Sequence, residues 1–326
     1  MGLSVAAGLA LWFLAYPADR PRSVGRWLLT PAVALMLVTS FLPLAYLIYL
    51  SVHGVTFLNF AGKWPWAGVN NYVSLLTDPQ VLRITFYTLE FVVVAVVIEF
   101  TLGFAIALGL NREFRGKGLF VTLMLLPFMV SPIVSGLLWK SMLSYDSGLV
   151  NQLLHVLGLQ PHPWLTDQAL PWVQSLPGIG AWLVQTLNLK YNFVSILITD
   201  VWGATPFVFI VILAGLHSLP KEPYESAVID GANAWQILRY ITLPLLKPLI
   251  VIVGLLRAMD AMKVYASIWA LFGNSVLTST LNIHLGTLTT VRFEYGRAGA
   301  LSILIVMLVT ATVILFVRQG RGEQGA

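Results

Sequence analysis

Long apolar runs separated by short polar stretches extend along almost the whole chain. A helix rises about 1.5 Å per residue, so about 20 apolar residues cross a bilayer. Runs of this length predict six spans, at about Trp27–Val52, Val81–Leu110, Leu119–Leu143, Phe193–Leu216, Pro244–Phe272 and Ala298–Val317. Because hydrocarbon offers no water to a bare backbone, each run should be a helix. The predicted fold class is an all-α polytopic membrane protein with about six transmembrane helices.

A shorter apolar stretch, Leu3 to Tyr16, lies in the N-terminal segment, residues 1–26. No positive charge precedes it, which a secretory signal would require. Three interpretations stay open: an extra helix in the membrane, an interfacial helix, or a frayed start of the chain. The transmembrane domain is expected to occupy 27–326.

Composition agrees with a lipid environment. Of 326 residues, 58% are hydrophobic and only 10% are charged, whereas soluble domains carry about 25% charged residues. The net charge of +5 would suggest nucleic acid in a soluble protein, but here it suggests the positive-inside bias of a membrane protein. The chain has no cysteine, which excludes disulfides and thiolate metal sites.

Basic residues cluster on one side of the predicted membrane. That side holds eleven of the nineteen Lys and Arg residues: Arg20, Arg22, Arg26, Arg112, Arg115, Lys117, Lys221, Arg239, Lys247, Arg318 and Arg321. Since cytoplasmic loops are enriched in Lys and Arg, the polar loop 218–247 is predicted to be cytoplasmic.

Within that loop, Pro223 to Pro248 has the pattern of two short helices joined by a turn. Asp230-Gly231 should end the first helix, because glycine adopts the left-handed conformation of a helix end. Asn233 and Gln236 match an N-cap and its capping partner for the second helix. Pro244 is expected to mark its junction with the fifth span.

This helix-turn-helix is either a structured loop or a docking element. Its small residues favour docking, because they let another protein approach the backbone closely; they are Ser226, Ala227, Gly231 and Ala232. Glu225 and Asp230 add charge beside them.

Charged residues also occur inside two spans. Glu90 and Glu99 in the second span lie about 180° apart on a helix, so burial against different neighbours is favoured over a proton relay. In the fifth span, Arg257, Asp260 and Lys263 recur every three residues, which invites pairing of Asp260 with both cations.

The charges of the fifth span have two interpretations. They form a structural ion pair within a helix bundle, or they line a water-filled path. In the second case the candidate path residues are Asp260, Lys263, Tyr265, Ser267 and Trp269. Tyr265 and Trp269, at i and i+4, could then present aromatic faces to a sugar.

Signatures of catalysis are missing from the sequence. The pattern G-x-x-x-x-G-K-[ST] does not occur, so this chain has no P-loop for ATP. No H-E-x-x-H or G-x-S-x-G motif occurs, and five scattered histidines, interpreted as surface or loop residues, make no metal pattern. The chain is expected to be a non-enzyme that binds no cofactor or metal.

The loop motif resembles that of a known family. Glu225-Ser226-Ala227, Asp230-Gly231-Ala232 and Ile241-Thr242-Leu243-Pro244 are similar to the cytoplasmic E-A-A…G…I-x-L-P loop of bacterial ABC importer permeases. Ser226 stands where alanine is commoner.

Motifs between about Leu28 and Val317 further resemble the first permease subunit of maltose-, trehalose- and oligosaccharide-type sugar transporters. They are Val69-Asn70-Asn71-Tyr72 before Asp78-Pro79, Leu110-Asn111-Arg112 with Arg115-Gly116-Lys117-Gly118, Leu126-Pro127, Gly148-Leu149-Val150-Asn151, Pro163-Trp164-Leu165, Asp200-Val201-Trp202 with Thr205-Pro206-Phe207, and Tyr295-Gly296-Arg297-Ala298-Gly299-Ala300-Leu301-Ser302.

The resemblance implies the type I ABC importer permease fold and a subunit that forms half of the path of an ATP-driven sugar importer. It implies a coupling helix that docks on a separate ATPase through Tyr224, Glu225, Ser226, Ala227, Asp230, Gly231 and Ala232. The implied partners are a second homologous permease, two ATPase subunits that bind ATP and Mg²⁺, and an extracytoplasmic solute-binding protein. The implied location is a bacterial or archaeal cytoplasmic membrane.

Two stretches depart from the family pattern. About 25 residues after Asp167, at about 168–192, look like an insertion in the outer loop. Phe272-Gly273-Asn274-Ser275 replaces a Gly-Gly-Gly-Pro-like turn. Both lie on the side where a solute-binding protein would dock.

Other functions remain open: an ABC permease for another solute such as glycerol phosphate or a polyamine, a secondary transporter or channel, or a membrane scaffold. A secondary transporter would favour intramembrane acids in relay order and inverted repeats. The opposed Glu90 and Glu99 fit that class poorly.

Overall fold

The computed structural model describes residues 21–112, 114–273 and 280–321. Its helices are α1 (Pro21–Ser51), α2 (Asn70–Leu76), α3 (Pro79–Leu110), α4 (Lys117–Met129), α5 (Pro132–Met142), α6 (Leu149–Val156), α7 (Pro171–Gln174), α8 (Gly180–Thr186), α9 (Tyr191–His217), α10 (Glu222–Ile229), α11 (Ala234–Ile237), α12 (Leu243–Met262), α13 (Ala266–Phe272), α14 (Leu281–Thr290) and α15 (Tyr295–Arg321). A 3₁₀ turn at Phe57–Asn59 and a π-helical turn at Leu238–Thr242 also occur. Leu3–Tyr16 and Asn274-Ser275 lie outside the described residues.

Five helical stretches within these ranges are long and apolar enough to cross a membrane, and a bent pair of helices makes a sixth candidate. The five are Leu29–Ser51, Pro79–Leu110, Tyr191–His217, Ala234–Met262 and Tyr295–Leu315. The prediction of an all-helical protein with about six spans is confirmed.

The third predicted span is not one helix. α4 and α5 meet at an angle of 97° across Val130 and Ser131, so the predicted span from Leu119 to Leu143 is a bent pair of helices. Proline disfavours the helical conformation in the residue before it, and Ser131, which precedes Pro132, has φ −58° and ψ 140°.

The fifth predicted span is also divided. α12 ends at Met262 and α13 begins at Ala266, so one helix from Pro244 to Phe272 is wrong. The break is stabilised from α14, because Asn282 Nδ2 donates to the Met262 carbonyl at 2.8 Å. α14 itself was predicted as a loop, and its His284 is buried rather than at the surface.

The chain forms two compact units. The first comprises the described residues up to Tyr72 together with Glu294–Ile303. In it, the end of α1 is held by side chains of α2: Asn71 Nδ2 donates to the Ser51 carbonyl at 2.9 Å, and the Tyr72 hydroxyl donates to Ser51 Oγ at 2.6 Å. Gly296 N–H donates to the Val55 carbonyl at 2.9 Å. These contacts give a structural role to the Asn71-Tyr72 and Gly296 motifs.

The second unit, Val73–Phe293 with the chain from Leu304 onward, packs α9 against α3, α4 and α12. One apolar cluster includes Phe91, Phe193 and Ile283, and another includes Val208, Phe209 and Leu246. Close packing between α3 and α9 requires glycine at 103. A Cβ there would lie 2.8 Å from Val208 Cγ1 and 3.1 Å from the Phe209 amide nitrogen.

A buried charge cluster joins three helices of this unit. Arg257 on α12 donates from Nε to Glu99 Oε2 at 2.7 Å and from Nη2 to Glu99 Oε1 at 2.9 Å. Arg257 Nη2 also lies 3.5 Å from Asp200 Oδ2 on α9. Glu99 has no exposed surface and Arg257 only 7%. Such bidentate pairing offsets part of the cost of charge in the bilayer.

Gly103→Ala should destabilise the protein by about 1–3 kcal/mol, because the added methyl group overpacks the α3–α9 contact. Gly109→Ala on the same helix is the control, since a Cβ there meets nothing within 4 Å. Thermal unfolding of the purified protein in detergent compares the two. Equal midpoints would contradict the packing described for Gly103.

Arg257→Met should cost about 3–5 kcal/mol, because it leaves Glu99 buried without its partner. The double variant Glu99→Gln/Arg257→Met should recover much of that loss, since neither charge then remains. Lys263→Met is the control, because Lys263 is half exposed. The same unfolding measurement would contradict the assignment if Arg257→Met were as stable as Lys263→Met.

Candidate functional site

The polar segment between α9 and α12 forms the predicted helix-turn-helix. α10 begins with Pro223 near its N-terminus, where the lack of an N–H costs nothing, and carries Glu222 and Glu225 in its first turn. Carboxylates at a helix N-terminus are favoured by the helix dipole. The start of α10 is therefore determined by residues of its own first turn.

The turn after α10 is a Schellman motif. The Ala232 N–H donates to the Ala227 carbonyl at 2.9 Å and the Gly231 N–H donates to the Val228 carbonyl at 3.1 Å. Gly231 has φ +76°, and a Cβ there would meet nothing within 4 Å. Glycine is thus required by backbone conformation, not by space. The prediction that Asp230-Gly231 ends the first helix is confirmed.

The second helix begins with the predicted capping box. Asn233 Oδ1 accepts from the Gln236 N–H at 2.9 Å, and the Asn233 N–H donates to Gln236 Oε1 at 2.7 Å. Both unpaired donors of the helix start are satisfied in this way.

α11 joins the fifth span without a break. It continues through the π turn into α12, so that Ala234–Met262 forms one helical stretch. In a regular helix the ring of Pro244 would clash with the Tyr240 carbonyl. The wider π turn accommodates the proline and keeps the helix unbroken.

The inner face of the segment is hydrogen-bonded to this long helical stretch. The Tyr224 hydroxyl donates to Thr242 Oγ1 at 3.1 Å, and Ala227 is buried. α10 thereby bonds to the start of α12 as well as following α9 in the chain.

The outer face of the segment is exposed. Glu225, Ser226, Asp230 and Gly231 lie at the surface, whereas Ala232 is half-buried. Large apolar side chains accompany them: Val228 is 65% exposed and Ile229 85% exposed. Trp235 and Tyr240 are also exposed. The predicted docking residues are the small and charged ones and do not include this apolar surface, whose signal in the sequence is the adjacent apolar pair Val228-Ile229 within a polar segment.

A cavity of about 1030 Å³ lies beneath the segment. Its lining combines the α3–α4 connection, the end of α9 and the two short helices, and includes Arg112, His217, Lys221, Tyr224 and Glu225. The lining mixes these groups with apolar side chains such as Leu219 and Ile237, and Glu225 borders both the cavity and the exposed surface.

The five candidate path residues do not share one helix. Asp260 and Lys263 lie at the end of α12 and pair at 3.3 Å, with more than half of each side chain exposed. Asp260 is also 3.9 Å from Arg257, but the main partner of Arg257 is Glu99, which sequence reasoning did not connect to it. The two residues are 158 positions apart, so no local pattern reveals the pair.

The other three candidates lie beyond the helix break. Ser267 is buried where α13 packs on Gly136 of α5, and a Cβ on Gly136 would lie 2.5 Å from the Ser267 carbonyl oxygen. The Tyr265 ring packs near Gly286 of α14. Trp269 is half exposed, and its N–H donates to the Tyr265 carbonyl at 2.8 Å, so the two residues stand one helical turn apart; the aromatic platform stays a prediction.

A cavity of about 190 Å³ lies at the two helix breaks. It is lined by Val130 and Pro132 from the first break, by Ser267 after the second, and by Asp200 and Arg257 of the charge cluster. Of the five candidates only Ser267 lines this cavity. Non-helical backbone at membrane depth is tolerated where it is buried or lines a cavity.

The acids of the second span face different partners, as predicted. Glu99 binds Arg257, whereas Glu90 accepts a hydrogen bond from Asn188 Nδ2 in the outer segment. They do not form a relay within the part of the chain that the structure describes.

Comparisons with known proteins agree with this architecture. Residues 99–320 match the family model described as the binding-protein-dependent transport system inner membrane component. A probable ABC transporter permease of Sinorhizobium fredii is 36% identical over 87% of this chain and 86% of its own length. The trehalose/maltose transport system permease protein MalF of Thermococcus litoralis is 34% identical over 93% and 95%.

Among solved structures, a bacterial ABC transporter involved in the import of the acidic polysaccharide alginate has a chain with the same fold. It matches with a TM-score of 0.73 at 23% identity, over 93% of this chain and 98% of the other. Since the family model covers more than half of the chain and the relatives match nearly its whole length, this multi-pass membrane protein belongs to the family of binding-protein-dependent transport system inner membrane components.

Proposed function

We propose that this chain is the membrane-spanning permease subunit of an ATP-driven sugar importer and that residues 218–247 couple it to a separate ATPase. The observation that carries the proposal is the capped helix-turn-helix, exposed on its outer face and bonded to α12 on its inner face. A rigid element of this kind can transmit a push from a docked partner to two spans.

The proposed docking residues are Tyr224, Glu225, Ser226, Ala227, Asp230, Gly231 and Ala232. Val228 and Ile229 join them, because their exposed side chains lie on the cytoplasmic side, where lipid does not cover them. The proposed partners are two ATPase subunits, a second homologous permease and an extracytoplasmic solute-binding protein. ATP and Mg²⁺ would be bound by the ATPase subunits.

A sugar is the proposed cargo. Support comes from relatives, since MalF of Thermococcus litoralis and the SugA protein of Mycobacterium tuberculosis, at 34% and 31% identity, are named for trehalose/maltose and trehalose transport. The charge cluster adds to this support. Arg257, the cation that could have favoured an anionic cargo, is engaged in two hydrogen bonds by Glu99.

Purification of the tagged chain in mild detergent from its native host, followed by mass spectrometry, tests the assembly. A second permease-like chain and an ATPase with a P-loop should accompany it. Recovery of the chain alone, with its spans intact, would favour the secondary-transporter or channel alternative and would contradict the proposal.

Gly231→Pro should uncouple ATP hydrolysis from transport, because proline fixes φ near −65° and the turn needs +76°. Gly231→Asn is the matched control, since asparagine tolerates the left-handed region better than other residues. In proteoliposomes, Gly231→Pro should lose most substrate-stimulated uptake while Gly231→Asn keeps most of it. Unchanged uptake in Gly231→Pro would refute the coupling role.

Glu225→Lys tests the charge of the docking surface. We expect weaker ATPase association and reduced uptake, with normal insertion of the chain. Glu222→Lys is the control, because it makes the same change of charge in the same helical turn outside the motif. Equal loss of ATPase binding in both variants would assign the effect to helix stability and not to docking.

A further inference from the structure

The segment between α6 and α9 contains a stretch whose two ends are hydrogen-bonded to each other. The Leu170 N–H donates to the Leu189 carbonyl and the Tyr191 N–H donates to the Gln168 carbonyl, both at 3.0 Å. Directly beside this closure, Lys190 Nζ pairs with Asp167 at 3.0 Å. Residues 168–189 are therefore a compact excursion whose ends meet.

This excursion differs from the rest of the chain in chemistry. From 168 to 189 it contains no acidic residue, no basic residue and no histidine. Its two short helices, α7 and α8, pack so closely that a Cβ on Gly180 would lie 2.2 Å from the Val173 carbonyl oxygen. Only a small part of its apolar surface is buried in this contact, where Val173 is fully covered.

Half of the large apolar side chains of the excursion are exposed. Trp172, Ile179 and Trp182 are each almost 60% exposed, and Leu176 and Leu187 are exposed as well. An uncharged surface with two exposed tryptophans has the composition of an element that lies at a membrane–water interface.

The excursion continues the apolar surface of a membrane-spanning helix. Asn188, with φ +43°, donates to Glu90 of α3 and fixes the excursion against that helix. Between them is a groove of about 970 Å³. Its lining includes Phe86 and Val93 of α3 and Val184 and Leu187 of the excursion, together with the charged residues Arg83, Glu90 and Lys190. Phe86 and Val93 are largely exposed on α3.

The depth of this groove follows from helix length. With 32 residues α3 is about 48 Å long, which exceeds the hydrocarbon core of about 30 Å. About 9 Å at each end thus lies beyond the core, and Phe86, about 10 Å from Pro79, falls at the outer boundary of the hydrocarbon. The excursion is at the same level, opposite the cytoplasmic helix-turn-helix.

We propose that residues 168–189 lie in the outer membrane interface, with Trp172, Ile179 and Trp182 among the lipids and an acyl chain in the groove against α3. The excursion is then a surface anchor on the bilayer. A docking surface for the solute-binding protein is the competing role. The absence of any charge from 168 to 189 argues against it, because docking surfaces of transient complexes usually have a polar rim.

The lack of cysteines allows a direct test by spin labelling. Single variants Ile179→Cys and Trp182→Cys probe the excursion. Val93→Cys on the exposed face of α3 is the lipid reference, and Asp146→Cys, in the exposed connection before α6, is the water reference. Each labelled chain is reconstituted with its co-purified subunits in liposomes, and its collision rates with oxygen and with a water-soluble nickel complex are compared.

We expect the ratio of oxygen to nickel collisions at 179 and 182 to approach that at 93 and to exceed that at 146 several-fold. A ratio equal to that at 146 would place the excursion in water and overturn the proposal. Low collision rates with both reagents, whether in the reconstituted complex or only after addition of the solute-binding protein, would show that protein covers the surface and would equally overturn it. Retained uptake by each variant shows that the labelled chain is folded.

Discussion

The buried charge of Arg257 constrains the arrangement of the membrane helices of the second unit. An unpaired guanidinium in hydrocarbon is costly, so its partners must come from within the chain. Glu99 of α3 and Asp200 of α9 supply them, and α3, α9 and α12 are thereby held at one level. The fork of the guanidinium admits two parallel hydrogen bonds to Glu99, which fixes orientation as well as distance.

This arrangement gives the cytoplasmic segment a mechanical connection to mid-membrane. Because α11, the π turn and α12 form one helical stretch, Trp235 and Arg257 are joined by continuous helix over about 33 Å. A helix transmits displacement along its axis as long as its hydrogen bonds persist. The π turn is where that ladder changes, and π turns frequently occur at functional sites. If a partner docks on the segment as proposed, this helix connects the docking site to the charge cluster.

The two breaks in the helical pattern lie beside the same cluster. Gly136 of α5 lets α13 approach closely, and the small cavity between the breaks is bordered by both Asp200 and Arg257. Irregular backbone within a membrane is a cost that a simple bundle avoids. The irregular backbone of both breaks lies beside the fixed charges of the cluster. Helical hydrogen bonds are already interrupted there, so a rearrangement at the breaks would disturb few of them.

The sequence predicts the helix caps, because they involve residues close together in the chain. It does not predict contacts between residues that are far apart in the chain. Gly231 and the pair Asn233 and Gln236 interact with neighbours within five residues, so their geometry follows from spacing alone. Arg257 was assigned to Asp260 because that acid is three positions away, whereas the better partner, Glu99, becomes a neighbour only through packing of α3 on α12. Pro127 and Pro132 in the third predicted span are compatible with a kink, but a bend of 97° depends on what the helices pack against.

The partner that covers an exposed apolar side chain depends on the position of that side chain along the membrane normal. Phe86 on α3 lies within the thickness of the bilayer, where lipid covers it without any partner. Ile229 is exposed in the segment proposed to lie beyond the bilayer on the cytoplasmic side, where the proposed ATPase would cover it. In the proposed placement, Trp182 lies beside Phe86 at the outer boundary of the hydrocarbon, where an indole ring finds both an apolar and a polar medium. The level of a residue along α3, α9 or α12, more than its exposed fraction, therefore determines which partner its surface requires.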